Sequence, residues 1–106
     1  PPHGSDTGCY LLSEVFSMKS CILVKDVDGL FTDDPKRNPH AKFIPEITVS
    51  ELIRMELKNL PVERTVLEVM RYARNAKKIQ IINGLVPGNL MRAMKGQSVG
   101  TIIYSD

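Results

Sequence analysis

The sequence predicts an α/β protein, a three-layer αβα sandwich with helices on both faces of one sheet. Three observations carry this. Short apolar runs of strand length, Cys21-Ile22-Leu23-Val24 and Ile79-Gln80-Ile81-Ile82, are continuous instead of alternating, as in strands buried on both faces. Segments with apolar residues at helical spacing separate them. The order of elements alternates between the two types, which builds layered α/β architectures.

In chain order, Ser5 or Asp6 caps a first helix that carries Leu11, Leu12, Val15 and Phe16 on one face and ends near Ser17-Met18. The strand at Cys21–Val24 follows. From Lys25 to Pro45 the text is Asp, Gly and Pro punctuation, with a short extended piece around Phe43-Ile44; a loop of that length in a compact domain is commonly functional. Thr48-Val49-Ser50-Glu51 fits a capping box and opens a helix to about Lys58. Pro61 starts the next helix, with Val62, Val66, Val69, Met70 and Ala73 on one face, running through Asn75 and closed by Lys77 and Lys78. Ile79–Ile82 is the second strand, Asn83–Gly88 a turn, Asn89–Lys95 a helix stopped by Gly96, and Val99–Tyr104 the last strand. Three strands make a thin sheet for this architecture, where five or six are usual. The 106 residues, which open without Met on Pro1-Pro2-His3-Gly4, therefore read as one partial domain whose other half lies elsewhere.

Composition narrows the function classes. Fourteen Lys+Arg against twelve Asp+Glu give a formal charge of +2, with the basic residues dispersed, so no nucleic-acid partner is implied. The two cysteines, Cys9 and Cys21, lie in apolar surroundings and read as small buried hydrophobes in a reducing, cytoplasmic setting. No apolar run approaches the roughly 20 residues that span a bilayer, and the first residues do not form a signal peptide. Met55, Met70, Met91 and Met94 read as core filler, His40 as a solvent-exposed loop residue, and Arg92 and Lys95 as a solvated face.

Ligands of open α/β sheets bind beyond the carboxyl ends of strands, which directs attention to Lys25–Pro35 and Asn83–Gly88. In the first segment a buried strand delivers Lys25, Asp26, Asp28, Asp33 and Asp34 to a loop. A calcium loop of EF-hand type needs Gly at the sixth position and Glu at the twelfth; Gly29 is fourth and Arg37 stands twelfth. Asp26-Val27-Asp28-Gly29 also resembles the nucleophile motif of haloacid-dehalogenase-type phosphatases. That family needs a late acidic pair to hold magnesium, and after Glu68 the only acid is Asp106. A plain turn built on Asp28 and Gly29 is the simplest alternative.

The segment further resembles the amino-acid kinase family through Lys25, Val27, Asp28, Gly29, Phe31, Asp34 and Pro35. The helix start at Asp6-Thr7, the Asn83-Gly84 turn, Pro87-Gly88-Asn89-Leu90 and the closing Gly96…Val99-Gly100-Thr101-Ile102-Ile103 occur in the family's order. The likeness covers nearly the whole chain, as the carboxy-terminal, nucleotide-binding half of the family's fold. Within the family, Pro1–Gly8, Pro61-Val62-Glu63-Arg64 and Asn83–Gly88 are similar to its molybdenum-storage branch, and the general plan is similar to its uridylate-kinase branch.

The resemblance implies an ATP site in which Lys25 lies beside the nucleotide, Phe31 flanks the adenine or ribose and Asp34 lies near the sugar hydroxyls, with Asp26, Asp28, Gly29 and Pro35 completing the loop. A flat ring suits a base and a carboxylate accepts hydroxyl protons. It implies Asp6 near the transferred phosphate, where a carboxylate organises Mg2+ or a lysine, and His3 facing a cavity for molybdate or tungstate clusters. Oligomeric assembly with other subunits of this fold is implied as well. The family's phosphate-cradling Lys-x-Gly-Gly segment belongs to the amino-terminal half and does not occur here, so this chain alone is expected to lack phosphotransfer activity. A third class, a noncatalytic assembly piece whose strands serve only to pair with another chain, needs neither Phe31 nor Asp34.

Overall fold

The computed structural model describes residues 20–57, 60–62 and 64–106. The expected first helix, with Asp6 and Cys9, and His3 before it lie outside the described residues. The described elements are β1 (Ser20–Lys25), β2 (Leu30–Phe31), β3 (Phe43–Ile44), β4 (Glu46–Thr48), α1 (Val49–Met55), α2 (Arg64–Met70), β5 (Lys78–Asn83), α3 (Asn89–Met94) and β6 (Thr101–Tyr104).

Four strands form the main sheet in the order β1-β5-β6-β4. The strands β1 and β5 run parallel, from Ser20 opposite Lys78 to Lys25 opposite Asn83. β6 is antiparallel to β5 and parallel to β4, with Ile103 opposite both Ile79 and Ile47. The expected three strands are therefore corrected to four. Glu46–Thr48 is three residues long and has no apolar run; it is extended because β6 supplies its ladder partners, a tertiary cause. The extended piece at Phe43-Ile44 pairs with Leu30-Phe31 as a separate two-stranded ribbon.

β5 is the central strand, and Ile79, Gln80, Ile81 and Ile82 are all buried. Its alternating side chains divide the molecule into layers. Ile79 and Ile81 join Cys21, Leu23 and Ile103 in a cluster with Val49 and Leu52 of α1 and Val66, Leu67 and Met70 of α2. Burying each of these large aliphatic side chains stabilises the fold by about 1.5–3 kcal/mol. Gln80 faces the opposite side, where its amide donates to the carbonyls of Gln97 (3.0 Å) and Val99 (2.8 Å) just beyond α3. Helical layers thus lie on both faces, as expected.

Several boundaries differ from expectation. α1 ends at Met55, because Glu56 turns left-handed at φ 50° and its N–H donates to Ile53. α2 spans only Arg64–Met70, so Lys77 and Lys78 do not close a helix; Lys78 opens β5. Thr48 Oγ accepts from Glu51 N, which is half of the capping box, whereas the Glu51 carboxylate accepts from Arg54 at 2.8 Å. β6 begins at Thr101, preceded by Gly100 at φ 69°, where a side chain would collide with the backbone carbonyl of Ile81. Met70 is buried as expected, but Met91 and Met94 are 59% and 68% exposed and do not fill the core.

Candidate functional site

Parallel β1 and β5 end side by side at Lys25 and Asn83, and the chain leaves both strands toward the same edge. Gly84 N donates to Lys25 O at 2.8 Å and locks the two exits together. Beyond them the loop 26–36, the Asn83 corner and the segment Leu60-Pro61 enclose an open cleft of about 650 Å³. Six of the residues singled out from sequence, Asp26, Asp28, Gly29, Phe31, Asp34 and Pro35, line it together, while Lys25 stands behind them at the strand end.

The loop is held from beneath. Thr101, wholly buried in β6, uses one hydroxyl twice: it accepts from Leu30 N at 2.9 Å and donates to Ile44 O at 2.6 Å. The β2–β3 ribbon is thereby fastened to the main sheet. Gly29 passes directly over this hydroxyl at φ 147°, and a Cβ there would strike Thr101 Oγ. Phe31 meets Phe43 edge-on, with centroids 5.4 Å apart and planes at 64°, a favoured aromatic geometry that fixes the Phe31 ring in the cleft wall.

The carboxylates divide by partner. Asp33 is a turn residue: it accepts from Asp34 N at 2.8 Å and from Asn38 Nδ2 at 3.0 Å. Asp34 accepts from Lys36 N at 3.0 Å, its backbone carbonyl accepts from Arg37 and Asn38, and Arg37 Nε lies 3.8 Å from its second carboxylate oxygen. Asp28 is exposed and accepts from Asn83 Nδ2 at 2.9 Å, while Asp26 is exposed at the mouth. These hard oxygen donors suit a cation that arrives with phosphates, the usual way Mg2+ is held. Among the described residues no group of three or more His, Cys, Asp or Glu is arranged to hold a metal by itself.

Asn83 was not singled out from the sequence as a site residue, although its turn was. The available signal was its place at the carboxyl end of a buried strand, before glycine, opposite Lys25. Phe43 and Thr101 were missed as well, because their roles depend on pairing between elements more than ten residues apart.

Parallel strands whose carboxyl ends open onto a loop-walled cleft make this an α/β protein with its candidate site at the strand exits, where open α/β sheets commonly bind ligands. The sequence signature of the amino acid kinase family matches residues 1–85. The chain belongs to that family. It is 48% identical over 103 residues to the molybdenum storage protein subunit beta of Azotobacter vinelandii, covering 97% of this chain and 38% of that protein. It is 34% identical over 106 residues to a uridylate kinase of Thermotoga petrophila, covering 96% of this chain and 42% of the relative. Among solved structures, the UMP kinase from Bacillus anthracis matches with a TM-score of 0.84 at 25% identity, over 98% of this chain and 41% of the other. The uridylate kinase from Archaeoglobus fulgidus matches with a TM-score of 0.79 at 27% identity, over 95% and 47%. The chain thus spans less than half the length of each of these proteins. No described helix is long and apolar enough to cross a membrane.

Proposed function

We propose that this chain is the nucleotide-binding half of a molybdenum- or tungsten-storage-like protein. It binds ATP with Mg2+, and it assembles with other subunits of its fold into a cage that holds oxyanion clusters. The observation that carries the nucleotide reading is the cleft at the β1 and β5 exits: its volume of about 650 Å³ lies within the range of about 300–1,000 Å³ usual for small-molecule sites. Phe31 offers a fixed ring face to a base or ribose, Asp34 an acceptor for sugar hydroxyls, and Lys25 a positive charge behind them at the end of β1. Asp26 and Asp28 offer oxygen ligands to a magnesium ion that shares the nucleotide's phosphates. When bound, that ion neutralises phosphate charge.

The storage assignment rests on the similarity to a molybdenum storage subunit along almost the whole chain. Asp6 near the phosphate end and His3 toward the stored oxyanion belong to this proposal. The alternative is a uridylate-kinase-like phosphotransferase, favoured by the structural similarity to the UMP kinase and the uridylate kinase named above. The experiment joins this segment to an amino-terminal half of the family, measures ATP binding by calorimetry, and then assays molybdate retention and UMP phosphorylation on the same preparation. Retention of molybdate without UMP turnover is the expected result. UMP turnover near the enzyme median of about 10 per second, without molybdate retention, would establish the alternative instead.

A further inference from the structure

Asn83 is the one residue of β5 that reaches the cleft, and its polar groups connect three separate pieces of chain. Its Nδ2 donates to Asp28 Oδ1 at 2.9 Å, across 55 residues of sequence. Its Oδ1 accepts from Leu85 N at 2.9 Å, which fixes the side-chain rotamer and aims Nδ2 at the loop. Its backbone carbonyl accepts from Asn89 Nδ2 at 3.1 Å, and Asn89 Oδ1 in turn accepts from Arg92 at 2.8 Å. The side-chain amide is therefore oriented at one end by its own turn and committed at the other to a loop carboxylate.

We infer that Asn83 is the positioning residue of the cleft, setting where the Asp28 carboxylate stands for a bound nucleoside triphosphate. This rests on the nucleotide reading of the same cleft. The chemistry follows from the donor inventory. An amide N–H fixes one oxygen of Asp28 without neutralising it, so the carboxylate keeps its charge and has its second oxygen directed by the first. Aspartate at position 83 would place like charges against each other, and a lysine would cancel the charge of Asp28; asparagine holds it and leaves it available. Binding sites need such supporting contacts, because a ligand group displaced by about 1 Å loses much of its interaction.

Two measurements test this, one of which uses no ligand. Amide hydrogen exchange on the protein joined to an amino-terminal half, without nucleotide, should show residues 26–36 exchanging at least about fivefold faster in Asn83→Ala, the equivalent of losing one hydrogen bond of about 1 kcal/mol, with β5 and β6 unchanged. Unchanged exchange in the loop, or equal acceleration throughout the sheet, would overturn the inference. In the protein joined to an amino-terminal half, calorimetry with ATP and Mg2+ should show Asn83→Ala weakening affinity about five- to tenfold, and Asp28→Ala/Asn83→Ala no weaker than Asp28→Ala within about twofold. Independent, multiplying losses would mean that Asn83 does not act through Asp28. A parent protein that fails to bind ATP would defeat the nucleotide reading, while the exchange result would still decide whether Asn83 holds the loop.

Discussion

Asp33 and Asp34 are neighbours in one turn, yet their carboxylates are engaged differently. Both oxygens of Asp33 accept hydrogen bonds within the loop, whereas one oxygen of Asp34 accepts from Lys36 N and the other faces the exposed Arg37 across 3.8 Å. An exposed pair of that length contributes little to stability, so the second oxygen is available to a ligand. Asp34→Ala should therefore weaken ATP binding by about 1–3 kcal/mol, as for loss of a charged hydrogen-bond partner, and an unchanged affinity in calorimetry would reject the role given to it. Glycines supply a second test at this scale. Gly100→Ala forces a Cβ into the Ile81 carbonyl at φ 69°, while Gly96→Ala, at φ 87°, meets nothing within 4 Å. Denaturant unfolding should show a loss of about 2–4 kcal/mol for Gly100→Ala and only about 1–2 kcal/mol for Gly96→Ala. The loop's acidic residues were legible because strand, aspartate and glycine stand together in the text. The residues beneath it were not, since nothing near Thr101 or Asn83 in sequence announces a partner 55 or more positions away.

The start of α1 shows how elements hold one another. Thr48 caps Glu51 N, and Asp106, beyond the end of β6, accepts from both Ser50 N (3.2 Å) and Ser50 Oγ (3.0 Å). These hydrogen bonds from Ser50 hold the Asp106 carboxyl below its ordinary value. A carboxylate with a lowered folded-state pKa adds stability that is fully present above its unfolded value and is lost as pH falls through the folded one. Thermal melts of the parent and Asp106→Asn should accordingly differ near neutral pH, with the parent more stable, and converge as the solution is acidified below about pH 4. A difference that persists at low pH would assign the effect to something other than this charge. The major elements were legible where a pattern is self-sufficient: the apolar runs of β1 and β5, the Thr48 cap and the Gly96 stop. The expected α2 helix extended five residues too far, because apolar spacing through Ala73 continued after the backbone had turned at Tyr72 and Ala73. The strands β2, β3 and β4, of two or three residues each, carry too little text for any period to appear.

On the whole molecule, the turn after β5 and helix α3 leave Leu85, Val86, Leu90, Met91 and Met94 exposed around one corner of the sheet. Exposed apolar side chains gathered in this way favour association, and the proposal that an amino-terminal half completes the domain gives them a place to go. The chain alone should therefore form dimers or larger species in light scattering and bind an apolar dye, with dye binding falling when the amino-terminal half is added. A compact, dye-silent monomer with a cooperative melt would show that these residues close their own core. The same chain should have no measurable phosphotransfer activity, which a turnover assay on a preparation free of other kinases can check. The strand order β1-β5-β6-β4 also has a temporal meaning. β6 follows every other described strand in sequence but stands between β5 and β4, and it carries the Thr101 hydroxyl that fastens the loop. During synthesis from the amino terminus, β1 and β5 can pair early, but β4 must wait without a neighbour until Thr101–Tyr104 leaves the ribosome. The cleft wall is thus completed only once β6, the last of the described strands, has been made, and a nascent chain stalled before Gly100 would carry every acidic residue of the loop without the Thr101 hydroxyl that fastens the ribbon beneath them.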